Sequence, residues 1–374
     1  LKRVKKIISK VELSREEATI ADKVFENERL TVEEGVFLYE KASLHFLSLI
    51  SNYVKEKING RKVFFNKNIH LEPSNICVYN CRFCSYRRKF TDPDAWDYTI
   101  EELVEKVSEY VNSDITEIHI TGGVHPHYNV MNYCTVLSKI KQKMPNIHIK
   151  AFTAVEIEYM CRKSHLSVEE GLKKLKSSGL DSIPGGGAEI FDKEVRQKIC
   201  GEKLTANIWL NVHRTAHKLG INSNATMLYG HIENYEHRID HLQKLRELQD
   251  ETKGFNAFIP LKFRNSNNKL SYLKEVSLIE DLRNFAVSRI FLDNFSHIKA
   301  YWIMLGKDNA QMALAFGVDD LDGTIDDTTK IYSMAGVTHQ RNYMTTEEMI
   351  NIIKTANLTP VQRDSIYNQI EVYK

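Results

Sequence analysis

Apolar residues recur at helical spacing early in the chain. Leu38, Ala42, Phe46, Leu49, Ile50 and Val54 share one face, behind the T-x-x-E pair of Thr31 and Glu34. The pattern predicts a helix from Thr31 to about Ile58. Before it, LKRVKKIISKVELSREE has a basic face but no apolar stretch and no small-residue cleavage site, so it reads as a solvated amphipathic helix and not a targeting peptide. From residue 68 the period changes. Eight short runs predict strands: NIHLE from Asn68, TEIHIT from Thr116, IHIKAF from Ile147, LDSIP from Leu180, NSNATML from Asn222, FNAFIPL from Phe255, HIKAYWIM from His297 and LAFGVD from Leu314. Helical patterns separate most of them, including Thr99–Val111, Ser167–Ser178, Thr205–Leu219 and Glu233–Leu248. Thr99/Glu102 and Ser167/Glu170 repeat the capping box.

Strands alternating with helices argue for an α/β fold with a parallel sheet. Eight such units predict a closed (β/α)8 TIM-type barrel with helical extensions at both ends. A six-unit partial barrel, its last two units an appendage, is the alternative. The boundaries read as an N-terminal helical extension over 1–60, a barrel core over 61–325 and a C-terminal helical extension over 326–374. Barrel chemistry sits on the loops after the strands. Here those loops read LEPSN into a cysteine cluster, TGGVHPH, TAVE, PGGGAE, LYGHIE and PLKFRN. Six consecutive loops with Gly, Pro or polar groups at one end are hard to obtain from packing alone.

Composition narrows the class. Of 374 residues 42% are hydrophobic, enough for a sizeable core. Lys plus Arg number 51 against 49 Asp plus Glu, and no basic stripe stands out, which argues against a nucleic-acid partner. No apolar run is long enough to span a membrane. Six cysteines are too few for a disulfide framework, so a cytoplasmic location is expected.

Three of those cysteines fall within eight positions. Cys77, Cys81 and Cys84 have the spacing C-x3-C-x2-C. Thiolates are the usual ligands of iron–sulfur clusters, and a short loop can bring three to one face of a cubane. With no fourth Cys nearby, one iron of a [4Fe–4S] cluster stays open. Two blander readings stand beside this one. The thiols are structural, or they hold zinc with a fourth ligand from His70, His119 or His125. Cys134, Cys161 and Cys200 have no partnered spacing and read as isolated reduced thiols.

The loops HLEPSNICVYNCRFCSYRRK, ITGGVHPHY, IKAFTAVEI, IPGGGAEIF, TMLYGHIE, FIPLKF and HIKAYWIMLG resemble those of radical S-adenosylmethionine (SAM) enzymes, from about residue 68 to 324. Within that superfamily they are most similar to the aminofutalosine synthase family of the futalosine route to menaquinone. TGGVHP, AFTAVE and TMLYGHIE carry that choice. The dehypoxanthine futalosine cyclases and the deazaflavin-cofactor synthases, which abstract hydrogen, share part of the set and remain the alternative.

The resemblance implies that the open iron chelates SAM, with Cys77, Cys81 and Cys84 as the metal ligands. Phe83 and Tyr86 match aromatic positions beside cluster and adenine. Gly122 and Gly123 match the loop whose backbone meets the SAM amino group; glycine allows such an approach. Glu189 and Glu156 are rival partners for the ribose hydroxyls, and either is equally read as a helix cap. Arg196 reaches the SAM carboxylate or lies on the surface. The implied reaction is a transfer. The 5′-deoxyadenosyl radical from SAM adds to the enol ether of 3-[(1-carboxyvinyl)oxy]benzoate, and loss of bicarbonate gives 6-amino-6-deoxyfutalosine and methionine. SAM is then a consumed co-substrate. A substrate with two carboxylates needs cationic or N–H donors, for which His125, His231, Lys262 and Arg264 are candidates. His127 also stands near the mouth. No general base is assigned, and an electron donor of unknown identity is required.

Overall fold

The computed structural model describes residues 8, 10–324, 330–337 and 343–374. Residues 1–7 and 9 of the amphipathic segment at the start, and the 325/326 boundary, therefore lie outside the described residues.

Eleven strands are described. They are β1 (Lys62–Asn66), β2 (Asn68–Leu71), β3 (Glu117–Ile120), β4 (His148–Ala151), β5 (Ser182–Ile183), β6 (Asn222–Tyr229), β7 (Phe255–Lys262), β8 (His297–Ile298), β9 (Asp320–Gly323), β10 (Thr359–Arg363) and β11 (Gln369–Val372). Strands β2 to β8 pair side by side in sequence order, all parallel. A single parallel bridge, Lys299 to Asp320, carries β8 to β9. In turn β9 pairs parallel with β1, which runs into β2 after Lys67. Those contacts close the ring, with β1 and β2 as successive lengths of one barrel strand. The eight-unit reading therefore describes the barrel better than the six-unit alternative.

Seven of the eight predicted strand regions hold a strand, with shifts at the end of the chain. HIKAYWIM is a two-residue strand that turns into a helix at Trp302–Leu305. LAFGVD begins as a 3-10 turn, Leu314–Phe316, and the strand follows it at Asp320. The three capping boxes form as read, at Thr31, Thr99 and Ser167. The long helix from Thr31 is broken into Val32–Glu40 and Leu44–Asn59. These two pack on the barrel helices Tyr235–Thr252 and Leu278–Phe291. Gly35 lets them close in, since a Cβ there would stand 2.7 Å from Ile239. The C-terminal extension differs from a purely helical one. After the helix Thr346–Thr355, β10 pairs parallel with β1 and β11 pairs antiparallel with β10.

The barrel has its apolar residues outside and its polar residues inside. Along β3, Ile118 and Ile120 alternate with Glu117 and His119, and the two isoleucines are fully buried. They join a continuous core with Leu103, Val107, Leu137 and Ile140 of the surrounding helices. Each such side chain contributes about 1.5–3 kcal/mol on burial. The inward positions Asn68, His70, Glu117, His119, Lys150, Asn224, Thr226 and Asp320 leave a polar lumen.

That lumen and its flanks set a pH dependence. Burial lowers the pKa of eight histidines: His70, His119, His125, His148, His213, His217, His231 and His241. His70 and His217 fall to about 4 and His241 to about 3. Burial raises three carboxyls, Glu72 and Glu156 to about 7 and Asp281 by less, which acts in the opposite sense. The histidines outnumber them. A histidine lowered in the fold supplies stability that is present above its unfolded value near 6.5 and is lost as pH falls toward its folded value. The protein is therefore expected to be less stable to urea at pH 5 than at pH 7. His241→Gln, which removes one such site, should shrink that difference by about 1 kcal/mol or more. Equal or greater stability at pH 5 would contradict the assignment of neutral buried imidazoles.

Candidate active site

The cysteine loop leaves β2 at the mouth of the barrel and is held by backbone on three sides. Arg88 brackets it, its N–H donating to Asn75 O at 2.8 Å and its carbonyl accepting from Cys77 N–H at 3.2 Å. Val78 N–H donates to Val124 O at 3.0 Å, and Arg82 N–H to Ile199 O at 2.8 Å. The Asn75 side chain accepts from Trp96 N–H at 2.9 Å and donates to Asp94 O at 3.1 Å. A loop tied to three neighbours keeps its thiols in place without a ligand.

All six cysteines are free. Cys81 is buried, Cys77 and Cys84 are half-buried, and each of the first two lies within electrostatic reach of Cys84. Burial pushes the Cys81 thiol up to about 12, opposed by the Lys203 ammonium. No three His, Cys, Asp or Glu side chains among the described residues converge where a single ion would sit. A cubane gives each thiolate its own iron, so its ligands need not converge. Three thiols that do not converge on one point suit a cluster better than a tetrahedral zinc.

The surrounding residues divide into those that face this loop and those that brace it. Phe83 packs under the Lys203 ammonium, 5.3 Å from its ring centre. Tyr86 is buried edge-on against Trp96 and donates to Ser74 O at 3.3 Å. A Cβ on Gly122 would stand 2.7 Å from Ser74 O, and one on Gly123 only 2.3 Å from Ile76 O. The glycines thus admit the cysteine loop's own backbone, a closer constraint than the ligand approach expected from sequence.

Glu156 is a brace. It closes a capping box with Thr153, and its carboxylate also accepts from Thr121 Oγ1 at 3.2 Å and from Gly122 N–H at 3.3 Å. Those bonds fix the glycine loop and are those of the helix cap, the alternative to a ribose partner. Arg196 is a second brace. It is buried and donates to the carbonyls of Gly187, Ala188, Ile190 and Leu204. Its guanidinium builds the PGGGAE turn and is not left for a SAM carboxylate.

Glu189 stays at the site. Its backbone is left-handed at φ +50° and its carbonyl accepts from Leu228 N–H at 2.8 Å. Its carboxylate meets Lys203 Nζ at 2.6 Å. Sequence reasoning missed Lys203. Burial opposes its charge, but Cys81, Glu189 and Cys200 outweigh that and raise its pKa. An ammonium beside the cysteine loop stabilises negative charge there, whether thiolate or ligand.

The four residues taken as carboxylate binders are each engaged elsewhere. His125 Nε2 stands 3.1 Å from Asp97. The His231 side chain is fully buried, 3.0 Å from Glu233, and accepts from Ile232 N–H at 2.7 Å. Lys262 Nζ is bound by Asp281 and Val276 O, both at 2.8 Å, and Arg264 lies 3.3 Å from Glu275. His127 donates its backbone N–H to His125 Nδ1 at 3.2 Å. None of them lines the barrel cavity.

That cavity holds about 200 Å3 and runs down the barrel axis. At the mouth it is lined by Thr121, Thr153, Gly185 and Gly186, on the loops after β3, β4 and β5. At the floor it is lined by Glu117, Lys150, Lys299 and Asp322. Tyr332, on the short helix Ile331–Met334 of the C-terminal extension, covers it. The Glu72 carboxylate at the end of β2 accepts from the backbone of Lys330 at 3.1 Å and holds that helix over the mouth. A closed, partly apolar chamber beside a cysteine loop can keep water from a reactive carbon.

The comparisons agree with this geometry. Residues 71–245 match the radical SAM superfamily, and residues 252–374 match the CofH/MqnC C-terminal region. An aminodeoxyfutalosine synthase of Thermus thermophilus is 44% identical, covering 95% of this chain and 96% of its own. A cyclic dehypoxanthine futalosine synthase of Streptomyces coelicolor is 35% identical, covering 95% and 89%. Among solved structures, methylornithine synthase superposes with a TM-score of 0.73 over 91% of this chain and 97% of that one, at 17% identity, a likeness of fold alone. No helix of the described residues is long and apolar enough to cross a membrane. The chain belongs to the radical SAM superfamily, in the family of the aminodeoxyfutalosine synthases.

Proposed function

We propose that this chain is an aminodeoxyfutalosine synthase of menaquinone biosynthesis. The observation that carries the reading is identity of 44% along nearly the whole of both chains, the barrel and the C-terminal region included, against 35% for the cyclase. Cys77, Cys81 and Cys84 hold the [4Fe–4S] cluster. When bound, the cluster supplies the one electron that breaks the carbon–sulfur bond of SAM. The protein then has to position. Gly122 and Gly123 set the mouth of the barrel against the cysteine loop, Phe83 and Tyr86 flank it, and Glu189 with Lys203 offers a carboxylate and an ammonium to the polar groups of SAM.

The 5′ carbon of SAM joins the enol-ether carbon of 3-[(1-carboxyvinyl)oxy]benzoate, and methionine leaves. The aryl group moves from the ether oxygen to the adjacent carbon as that oxygen becomes the ketone. The acrylate carboxylate is lost as CO2, which one water converts to bicarbonate outside the chamber. The electron that opened SAM is given back, so the transfer is redox-neutral overall. The chamber under Tyr332 excludes water and fixes the alkene near that carbon, and such positioning is a large part of catalysis. A soluble one-electron donor serves the site. The cytoplasm is the compartment that suits unpaired thiols, a cluster and small polar substrates.

The test is anaerobic turnover with SAM and the enolpyruvyl benzoate. One bicarbonate is expected for each methionine, together with a nucleoside adduct. Methionine formed with 5′-deoxyadenosine and no bicarbonate would transfer the chain to the hydrogen-abstracting alternative.

A further inference from the structure

The floor of the barrel cavity is built like a binding site. Lys150 on β4 and Lys299 just after β8 reach it from opposite walls. Lys150 Nζ bonds Glu117 at 2.6 Å, and Lys299 Nζ bonds Asp322 at 2.5 Å. An ammonium has three donors, so each keeps N–H capacity beyond its one close carboxylate. Lys150 holds the Glu117 carboxyl well below the usual carboxylate range despite burial, so this pair is ionic. The two ammonium groups lie within electrostatic reach of each other.

Beside Lys150 in register stands His119. Its Nδ1 is 3.3 Å from His70 Nε2, while its Nε2 is buried with no hydrogen-bond partner among the described residues. Leaving a buried polar atom unpaired is unfavourable, a cost that a ligand would remove. Above this floor the walls turn apolar, with Pro184, Ile259, Leu261 and the rings of Tyr301 and Tyr332.

We propose that this floor is the seat of an aromatic carboxylate, gripped by Lys150 and Lys299 with His119 as a third contact. The inference rests on the proposed function for its orientation. The alkene must meet SAM at the mouth, beside the cysteine loop, so the opposite end of the substrate points down the axis. That end is the benzoate. Its ring meets the apolar walls and its carboxylate meets the ammonium groups. Lys150 and Lys299 are then specificity-determining residues, and the loop residues His125, His231, Lys262 and Arg264 are not required for this carboxylate.

Two measurements test the seat. The first compares kcat/KM for the enolpyruvyl benzoate with that for 2-phenoxyacrylate, which lacks the ring carboxylate. The variants are Glu117→Gln/Lys150→Gln and Lys299→Gln/Asp322→Asn, which keep hydrogen-bonding side chains and leave no lone buried charge. The wild-type preference for the carboxylated substrate should fall by about tenfold or more in each, mainly through KM, because charge-assisted hydrogen bonds are lost. The rate with 2-phenoxyacrylate should move little, and so should SAM cleavage without substrate. Unchanged preference in both variants would overturn the seat, as would equal losses for both substrates.

The second measurement needs no variant. Wild-type protein should bind 3-methoxybenzoate about tenfold or more tightly than methoxybenzene. Equal affinities would overturn the seat even if a variant failed to fold. Adduct formation by the wild type reads the proposed function separately. Its absence, with the methoxybenzoate preference intact, would leave a carboxylate seat serving a different reaction and sink the orientation argued here.

Discussion

Cys81→Ala protein, reconstituted with iron and sulfide without oxygen, is expected to show no reduced-cluster EPR signal and no SAM cleavage above the apoprotein background. Cys77→Ala and Cys84→Ala should behave alike. Each thiolate meets a separate iron, and a cubane missing one of three protein ligands is not retained in its reducible form. Cys134→Ala and Cys161→Ala should keep signal and activity, since both thiols are buried among apolar neighbours in helices away from the mouth. Cys200→Ala is the sharper control. Its thiol lies within electrostatic reach of Cys81, on the helix Lys193–Cys200 that accepts the Arg82 amide. A cluster that survives loss of Cys81 but not of Cys200 would move the ligand set.

Gly123→Val should be nearly as damaging, for a reason the sequence did not disclose. A Cβ at Gly123 would meet the carbonyl oxygen of Ile76 at 2.3 Å and the Asn75 carbonyl carbon at 2.9 Å. Real side-chain atoms do not come so close to backbone. The cysteine loop must shift, and such overpacking costs about 1–3 kcal/mol. Iron content per chain is therefore expected to fall together with SAM affinity. Normal iron with weakened SAM binding would mean that the glycine serves ligand approach alone.

Several features were legible because they rest on local chemistry. The C-x3-C-x2-C spacing, the paired glycines after the second predicted strand and the three capping boxes each need only a few neighbouring residues. The barrel was legible because eight strand signals alternate with helices. What escaped depends on distant partners. β10 has Pro360 inside it and pairs with β1, nearly 300 residues away, so no local signal marks it as a strand. Glu156 was read as a cap or a ribose partner and Arg196 looked free, until Thr153, Gly122 and the PGGGAE carbonyls were seen to use them. His231 and Lys262 were chosen by loop position, and Glu233 and Asp281 claim them.

The polar lumen left a trace that went unread. In TEIHIT the polar residues Glu117, His119 and Thr121 alternate with Ile118 and Ile120. Such alternation normally puts the polar side in water. In a barrel wrapped by helices the apolar side faces the helices, so the polar side faces the lumen. On that rule His119 and Lys150 belong to the interior from sequence alone.

The central claim is that SAM is consumed as a building block. It is tested most directly with SAM carrying ¹³C in the adenosyl ribose, turned over with the enolpyruvyl benzoate. The label should appear in one larger product that contains both the nucleoside and the benzoate ring. Label found only in 5′-deoxyadenosine, with the benzoate dehydrogenated or cyclised, would contradict the account.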